Sequence, residues 1–265
     1  MVSDGSLALT ADEVEEVSGL VRAASRLALS WFRTTLVVDN KALSGFDPVT
    51  EADRAVEDAL RAALLERFPG TEVLGEEAGL SGTGAYRWVI DPIDGTRAFV
   101  SGNPLWGTLL GLQRNGQPIA GWMHQPTMDE TWIGAGEVRC HRSPQGEREL
   151  RTRDRTRLDE AIVVCTTPAM FEGEEASAFL RVSERARLTR YGGDCINYGL
   201  VALGHADVVV DNHLAPYDIV PLIPIVEAAG GVVSDRRGGS AASGGFVVAA
   251  ANPNLHADVL ERLHG

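Results

Sequence analysis

Asp91 and Asp94 lie in the run Asp91-Pro92-Ile93-Asp94-Gly95-Thr96, directly after a stretch rich in β-formers, Arg87 to Ile90. Pro92 lacks the N–H that a central strand needs, so the strand is expected to stop with Asp91 at its carboxyl end, where ligands in α/β folds collect. A tight turn there can aim both carboxylates into one cavity. Glu76, in Gly75-Glu76-Glu77, and Asp218, in Tyr217-Asp218, add two distant carboxylates. Hard cations are held this way, and Mg²⁺ commonly uses a few carboxylates together with the phosphate oxygens of a substrate. Asp91 could bridge two cations, and two cations about 3.5 to 4 Å apart can clamp the attacking and leaving oxygens of an in-line phosphoryl displacement. Gly95 lets a phosphate approach closely, N–H groups at a helix start bind anions, and the Thr96 hydroxyl can orient water. Asp-Pro and Asp-Gly are also ordinary turn pairs. An aspartyl-phosphate nucleophile of the Asp-x-Asp-Gly-Thr type is excluded, because Pro92 and Ile93 both intervene between the carboxylates.

The elements around these residues are legible in outline. Thr10 and Glu13 have capping-box spacing, and apolar residues from Val14 to Trp31 recur at helical intervals. Thr50 caps a second helix running to Phe68, where Pro69-Gly70 stops it; Asp53 falls in its first turn, where a carboxylate suits the helix dipole. Strand patterns follow at Trp106 to Leu112, Ile119 to His124 and Thr131 to Ile133, with Arg114-Asn115-Gly116-Gln117 as a hairpin turn. This predicts an antiparallel meander. The charged stretch Ser143 to Asp159 marks a boundary between an α+β lobe, residues 1–150, and an α/β lobe, residues 151–265. In the second lobe strands are expected at Ala161 to Cys165, Leu188 to Tyr191, Asp207 to Val210, Val232 to Ser234 and Phe246 to Ala249. Helices are expected at Glu174 to Glu184, Cys195 to Leu203, Ile219 to Ala229 and Asn254 to Leu263.

The bulk properties narrow the partners. A chain of 265 residues, 44% hydrophobic, can bury a large core, while a net charge of -13 disfavours nucleic acid and anionic membranes. Bound divalent cations would reverse the local field for a phosphate substrate. Cys140, Cys165 and Cys195 are odd in number and lack metal-finger spacing, as expected of reduced core thiols. No signal peptide or membrane-spanning run is apparent, so a cytoplasmic protein is expected.

Gly75-Glu76-Glu77, Asp91 to Thr96, Tyr217-Asp218 and the upstream Val49-Thr50-Glu51-Ala52-Asp53 together resemble the inositol monophosphatase family across nearly the whole chain. The resemblance implies an α/β fold of alternating layers, an αβαβα sandwich. It implies that Glu76, Asp91, Asp94, Asp218 and the carbonyl of Ile93 hold two or three Mg²⁺, and that Asp53 and Thr96 orient the attacking water. Family members dephosphorylate small phosphate monoesters without a phosphoenzyme, are often homodimers, and are often inhibited by lithium.

Within that family, Tyr191-Gly192-Gly193-Asp194-Cys195 and Ala215-Pro216-Tyr217-Asp218 resemble the histidinol-phosphate phosphatase branch of histidine biosynthesis, whereas inositol phosphatases usually carry Trp before the aspartate. Histidinol phosphate carries an ammonium and an imidazole, so its pocket should offer carboxylates. Asp194 and Asp211 are the candidates, with Asn197 and Lys41 behind them; Asp194 could equally cap the helix that follows. His213 could line the pocket, and none of His124, His141, His205 and His213 has metal-site spacing. An inositol-1-phosphate or sugar-phosphate phosphatase is the alternative enzyme. A non-enzymatic phosphate-binding protein on the same scaffold has little room, because every metal ligand is present.

Overall fold

The computed structural model describes residues 9–35, 39–40 and 48–265. Its elements in chain order are α1 (Ala11–Ala28), β1 (Asp39–Asn40), β2 (Pro48–Val49), α2 (Glu51–Arg67), β3 (Glu72–Gly75), β4 (Gly79–Gly82), β5 (Tyr86–Asp94), α3 (Thr96–Val100) and β6 (Gly107–Arg114). Next come β7 (Gln117–Gln125), β8 (Glu130–Ala135), β9 (Val138–Ser143), β10 (Gly146–Glu149), β11 (Ile162–Cys165), α4 (Gly173–Ser183), β12 (Leu188–Tyr191) and α5 (Cys195–Ala202). The chain ends with β13 (Val208–Leu214), α6 (Pro216–Ile219), α7 (Leu222–Ala228), β14 (Val232–Asp235), β15 (Gly245–Ala250) and α8 (Pro253–His264).

Five layers result, in the predicted αβαβα order. Helices α1 and α2 cover one face of an eight-stranded sheet of order β10-β9-β8-β7-β6-β5-β3-β4; α5, α6 and α7 fill its other face. A five-stranded sheet of order β12-β11-β13-β15-β14 follows, and α4 with α8 close the far side. The capping boxes at Thr10 and Thr50 both form. Helix α2 turns Val56, Leu60 and Leu64 into the core, where burying each leucine is worth roughly 1.5–3 kcal/mol. Trp88, Trp106, Trp122 and Trp132 are all core residues. Strands β5 to β8 form the expected meander, which β9 and β10 extend, and Arg114 pairs with Gln117 around Asn115 and Gly116, both at positive φ.

Three expectations are corrected. Strand β5 does not stop before Pro92: it runs on to Asp94, with the register shifting between Asp91 and Asp94. A bulge leaves a residue without its ladder bond, so a proline is tolerated there, and the Pro92 carbonyl accepts from the Thr108 hydroxyl at 2.7 Å. The helix expected at Ile219 to Ala229 is two helices, α6 and α7. Pro221 cannot donate to the carbonyl one turn back, and the axis breaks there. Strands β3, β4, β9 and β10 were not anticipated; β10, fully exposed along its length, lies inside the charged stretch.

One row of glycines sets how closely the middle layer approaches. Gly111, Gly121 and Gly134 are mutual partners across β6, β7 and β8. A Cβ at Gly121 would lie 1.8 Å from the Pro221 carbonyl oxygen, and one at Gly134 would lie 2.3 Å from that of Pro224. The backbone that follows α6 therefore rests directly on the sheet, and this carries Asp218 to the end of β5.

Candidate active site

Asp91, Asp94 and Asp218 converge, each presenting a carboxylate oxygen within 4.8 Å of the others. Asp91 is buried, and its pKa is pushed well above the ordinary carboxylate value by burial and then by the charges of Glu76, Asp94, Asp218 and Asp53. Asp94 is raised by burial and by Asp194 and Asp218, although the Cys195 N–H donates to its Oδ2 at 2.6 Å. Asp218 lies in α6, and its Oδ2 accepts the Ala215 N–H at 2.7 Å, which fixes the carboxylate against the break at Pro221. Glu76 lies outside the trio but is the leading neighbouring charge on Asp91. Its N–H donates to the Ile90 carbonyl at 3.2 Å, extending the parallel pairing of β3 with β5.

Gly95 occupies the N-cap of the short helix α3 with φ 84, a conformation that favours glycine. Phe99 anchors α3 edge-on to Trp106 at 4.9 Å. The Thr96 hydroxyl donates to the Ile93 carbonyl at 3.0 Å, so two candidate groups are bonded to each other; the Ile93 side chain itself is core. Asp53 is buried at the start of α2. Its Oδ2 accepts from the Thr50 N–H at 2.8 Å and the Thr50 hydroxyl at 2.6 Å, and burial raises its pKa to about 6 despite those bonds.

A cavity of about 400 Å³ opens from Asp94 and Asp218 toward the five-stranded sheet, lined also by Arg97, Asp194, Tyr198, Asp211, Asn212 and His213. Asp211, in β13, accepts from the Thr166 N–H at 2.7 Å and the Thr166 hydroxyl at 3.3 Å; burial lifts its pKa to about 6. Asp194 stands at the N-cap position of α5 with φ 44, but its side chain makes no capping bond and faces the cavity. Burial raises it to about 6, with Arg97 pulling the other way. Both carboxylates therefore reach the cavity, as does His213.

Asn197 does not. It is buried beneath the Gly192–Gly193 turn, where a Cβ at Gly193 would lie 2.5 Å from its Oδ1. Lys41 lies outside the described residues. Arg97 and Tyr198 were missed: Tyr198 is one helical turn past Asp194, a spacing that places both on one face, and its hydroxyl is buried with no hydrogen-bond partner.

The residues fit a divalent cation. Three carboxylates that repel one another at this range, with Asp91 Oδ1 buried and unpartnered, are stabilised by a positive charge among them. A layered fold that gathers such a cluster at the end of one strand defines a class of phosphoric monoester hydrolases. The model of the inositol monophosphatase family matches residues 10–265, and the chain belongs to that family, which is generally Mg²⁺-dependent.

Relatives carry names of several phosphatases. The chain is 35% identical over 259 residues to the chloroplastic bifunctional phosphatase IMPL2 of Arabidopsis thaliana, covering 93% of this chain and 73% of that one. It is 35% identical over 227 residues to a histidinol-phosphatase of Mycobacterium tuberculosis, covering 82% and 85%. A solved inositol monophosphatase from Zymomonas mobilis superposes with TM-score 0.84 at 36% identity, covering 97% and 100%. Among the described residues no helix is long and apolar enough to cross a membrane.

Proposed function

We propose that the protein hydrolyses L-histidinol phosphate to L-histidinol and phosphate, a step of histidine biosynthesis, as a cytoplasmic homodimer. The observation that carries the substrate reading is the surplus of carboxylates: Asp194 and Asp211 line the cavity in addition to the three of the cation cluster. Asp211 could equally accept from a polyol hydroxyl, so Asp194 carries most of the distinction. A substrate bearing an ammonium and an imidazole offers them charge-assisted donors.

Glu76, Asp91, Asp94, Asp218 and the Ile93 carbonyl hold two or three Mg²⁺. When bound, these cations lower the pKa of water and neutralise charge on the phosphoryl oxygens. Gly95 lets the phosphate come close to the backbone, and the hydroxyl of Thr96, steered by its bond to Ile93, orients the attacking water together with Asp53. Asp53 suits that role because a carboxylate with a pKa near 6 takes up a proton more readily than an ordinary one. Asp194 and Asp211 hold the cationic end of the substrate.

Phosphate release by the purified protein with Mg²⁺ tests this, using histidinol phosphate and inositol 1-phosphate side by side. A kcat/KM at least about tenfold higher for histidinol phosphate is expected. Equal or lower values would overturn the substrate reading and favour the inositol-phosphate alternative.

A further inference from the structure

We propose that Glu57 is a positioning residue for the cation cluster: it clamps the loop that carries Glu76 so that this carboxylate meets Asp91 at a fixed separation. The proposal rests on the reading of Glu76 and Asp91 as cation ligands.

Glu57 lies on α2 one turn beyond Asp53 and is 1% exposed. Its Oε2 accepts the Glu77 N–H at 2.7 Å, and its Oε1 accepts the Ala78 N–H at 3.0 Å. These two donors immediately follow Glu76. The Glu76 N–H is itself held by the Ile90 carbonyl, so the backbone is pinned on both sides of the Glu76 side chain. Gly75 belongs to the same device, because a Cβ there would lie 2.1 Å from Glu57 Oε1. The loop wraps directly onto a buried carboxylate.

Arg61 holds that carboxylate in place. One nitrogen, Nη2, donates to Glu57 Oε1 and to the Gly79 carbonyl, both at 2.8 Å; Nη1 donates to the Val73 carbonyl at 3.1 Å and to the Ser81 hydroxyl. The guanidinium thus ties the end of β3 and the start of β4 to the same point on α2. A buried ion pair is weak evidence for stability, and its best-attested use is to specify one arrangement over others. Here the arrangement specified is the distance between the loop and the end of β5. Because Asp53 is on the same helix, one turn earlier, α2 also sets the water-orienting carboxylate and the loop in a single frame.

Glu57→Gln keeps the volume but puts an amide where two acceptor oxygens face backbone donors and Arg61. The measurements are the Mg²⁺ dissociation constant by calorimetry without substrate, the Mg²⁺ concentration for half-maximal activity, and the substrate KM at saturating Mg²⁺. The expected result is a dissociation constant and half-maximal concentration raised about tenfold, with KM within about twofold of the parent. A merely structural role would lower the Tm in EDTA and leave the Mg²⁺ dissociation constant unchanged, and that outcome overturns the proposal. Should Glu57→Gln fail to fold, Arg61→Lys decides: it keeps a positive charge beside Glu57 but loses the fork to Val73, Gly79 and Ser81. A threefold or greater weakening of Mg²⁺ binding then supports the proposal, and an unchanged constant overturns it. If the parent protein itself takes up no Mg²⁺, the reading of the site has failed instead, which separates the two failures.

Discussion

The two ends of the cavity hold carboxylates under opposite conditions. At the end of β5, burial and neighbouring carboxylates, Asp218 among them, raise the pKa of Asp91 and of Asp94 well above the ordinary value, and Asp91 Oδ1 has no hydrogen-bond partner. Toward the five-stranded sheet, Asp211 has both oxygens bonded to Thr166, and Asp194 has Arg97 beside it in the cavity lining. Buried charges without partners are costly, while paired ones are tolerated. The first end therefore gathers the charge a cation would offset, while the carboxylates of the second, also raised by burial, are left to recognise a ligand.

The sharpest way to break this contrast is at the first end. Asp94→Asn retains an oxygen for the Cys195 N–H but removes a charge from the cluster. Activity should fall by about a thousandfold or more, because several kcal/mol of charge stabilisation depend on the cations. The Tm in EDTA should be no lower than that of the parent, since one repelling carboxylate is gone. Near-normal turnover would refute the assignment of the two ends.

At the second end the effect is smaller and selective. Asp194→Asn removes one charged acceptor from the proposed ammonium site, a loss of roughly 2 kcal/mol or about 30-fold in kcat/KM for histidinol phosphate. For inositol 1-phosphate the same substitution should change kcat/KM by less than about threefold. Parallel losses on both substrates would assign Asp194 to the common machinery and erase the distinction.

The same contrast explains what was legible in the sequence. The cation end is written largely in one contiguous segment, Asp91 to Thr96, because metal chemistry dictates residue type and close spacing. Asp218 was legible for the same reason, although only the glycine row and the break at Pro221 explain how it arrives. The rest of the cavity is assembled from β13, α3 and α5, and no short-range rule names its members. Asn197 was chosen for its polarity, but a turn at positive φ through Gly193 lays backbone over it. Tyr198, one residue further, takes the face shared with Asp194. Glu57 shows in the sequence only as an i,i+4 partner of Arg61, because the loop groups it holds are backbone N–H groups 20 and 21 residues away.

The weakest expected effect separates the two ends by pH in the absence of metal. Asp211 is raised from 3.8 to about 6 chiefly by burial, so the folded protein binds its proton more tightly than the unfolded chain does. The stability this contributes is fully present below about pH 4 and is lost as pH rises through about 6, a change of roughly 3 kcal/mol at most. Asp53 and Asp194 have the same sign and window, so the parent Tm in EDTA should fall across it. Asp211→Asn removes one contributor while keeping an acceptor for the Thr166 N–H. Relative to the parent, its Tm should therefore rise by a few degrees between pH 4 and pH 7. A gap between the two proteins that stays constant with pH would show that the Thr166 bonds fully offset the burial, leaving Asp211 an ordinary carboxylate. In that case the ligand-reading end would differ from the cation end in geometry alone, because the carboxylate in β13 would carry its charge through folding without loss.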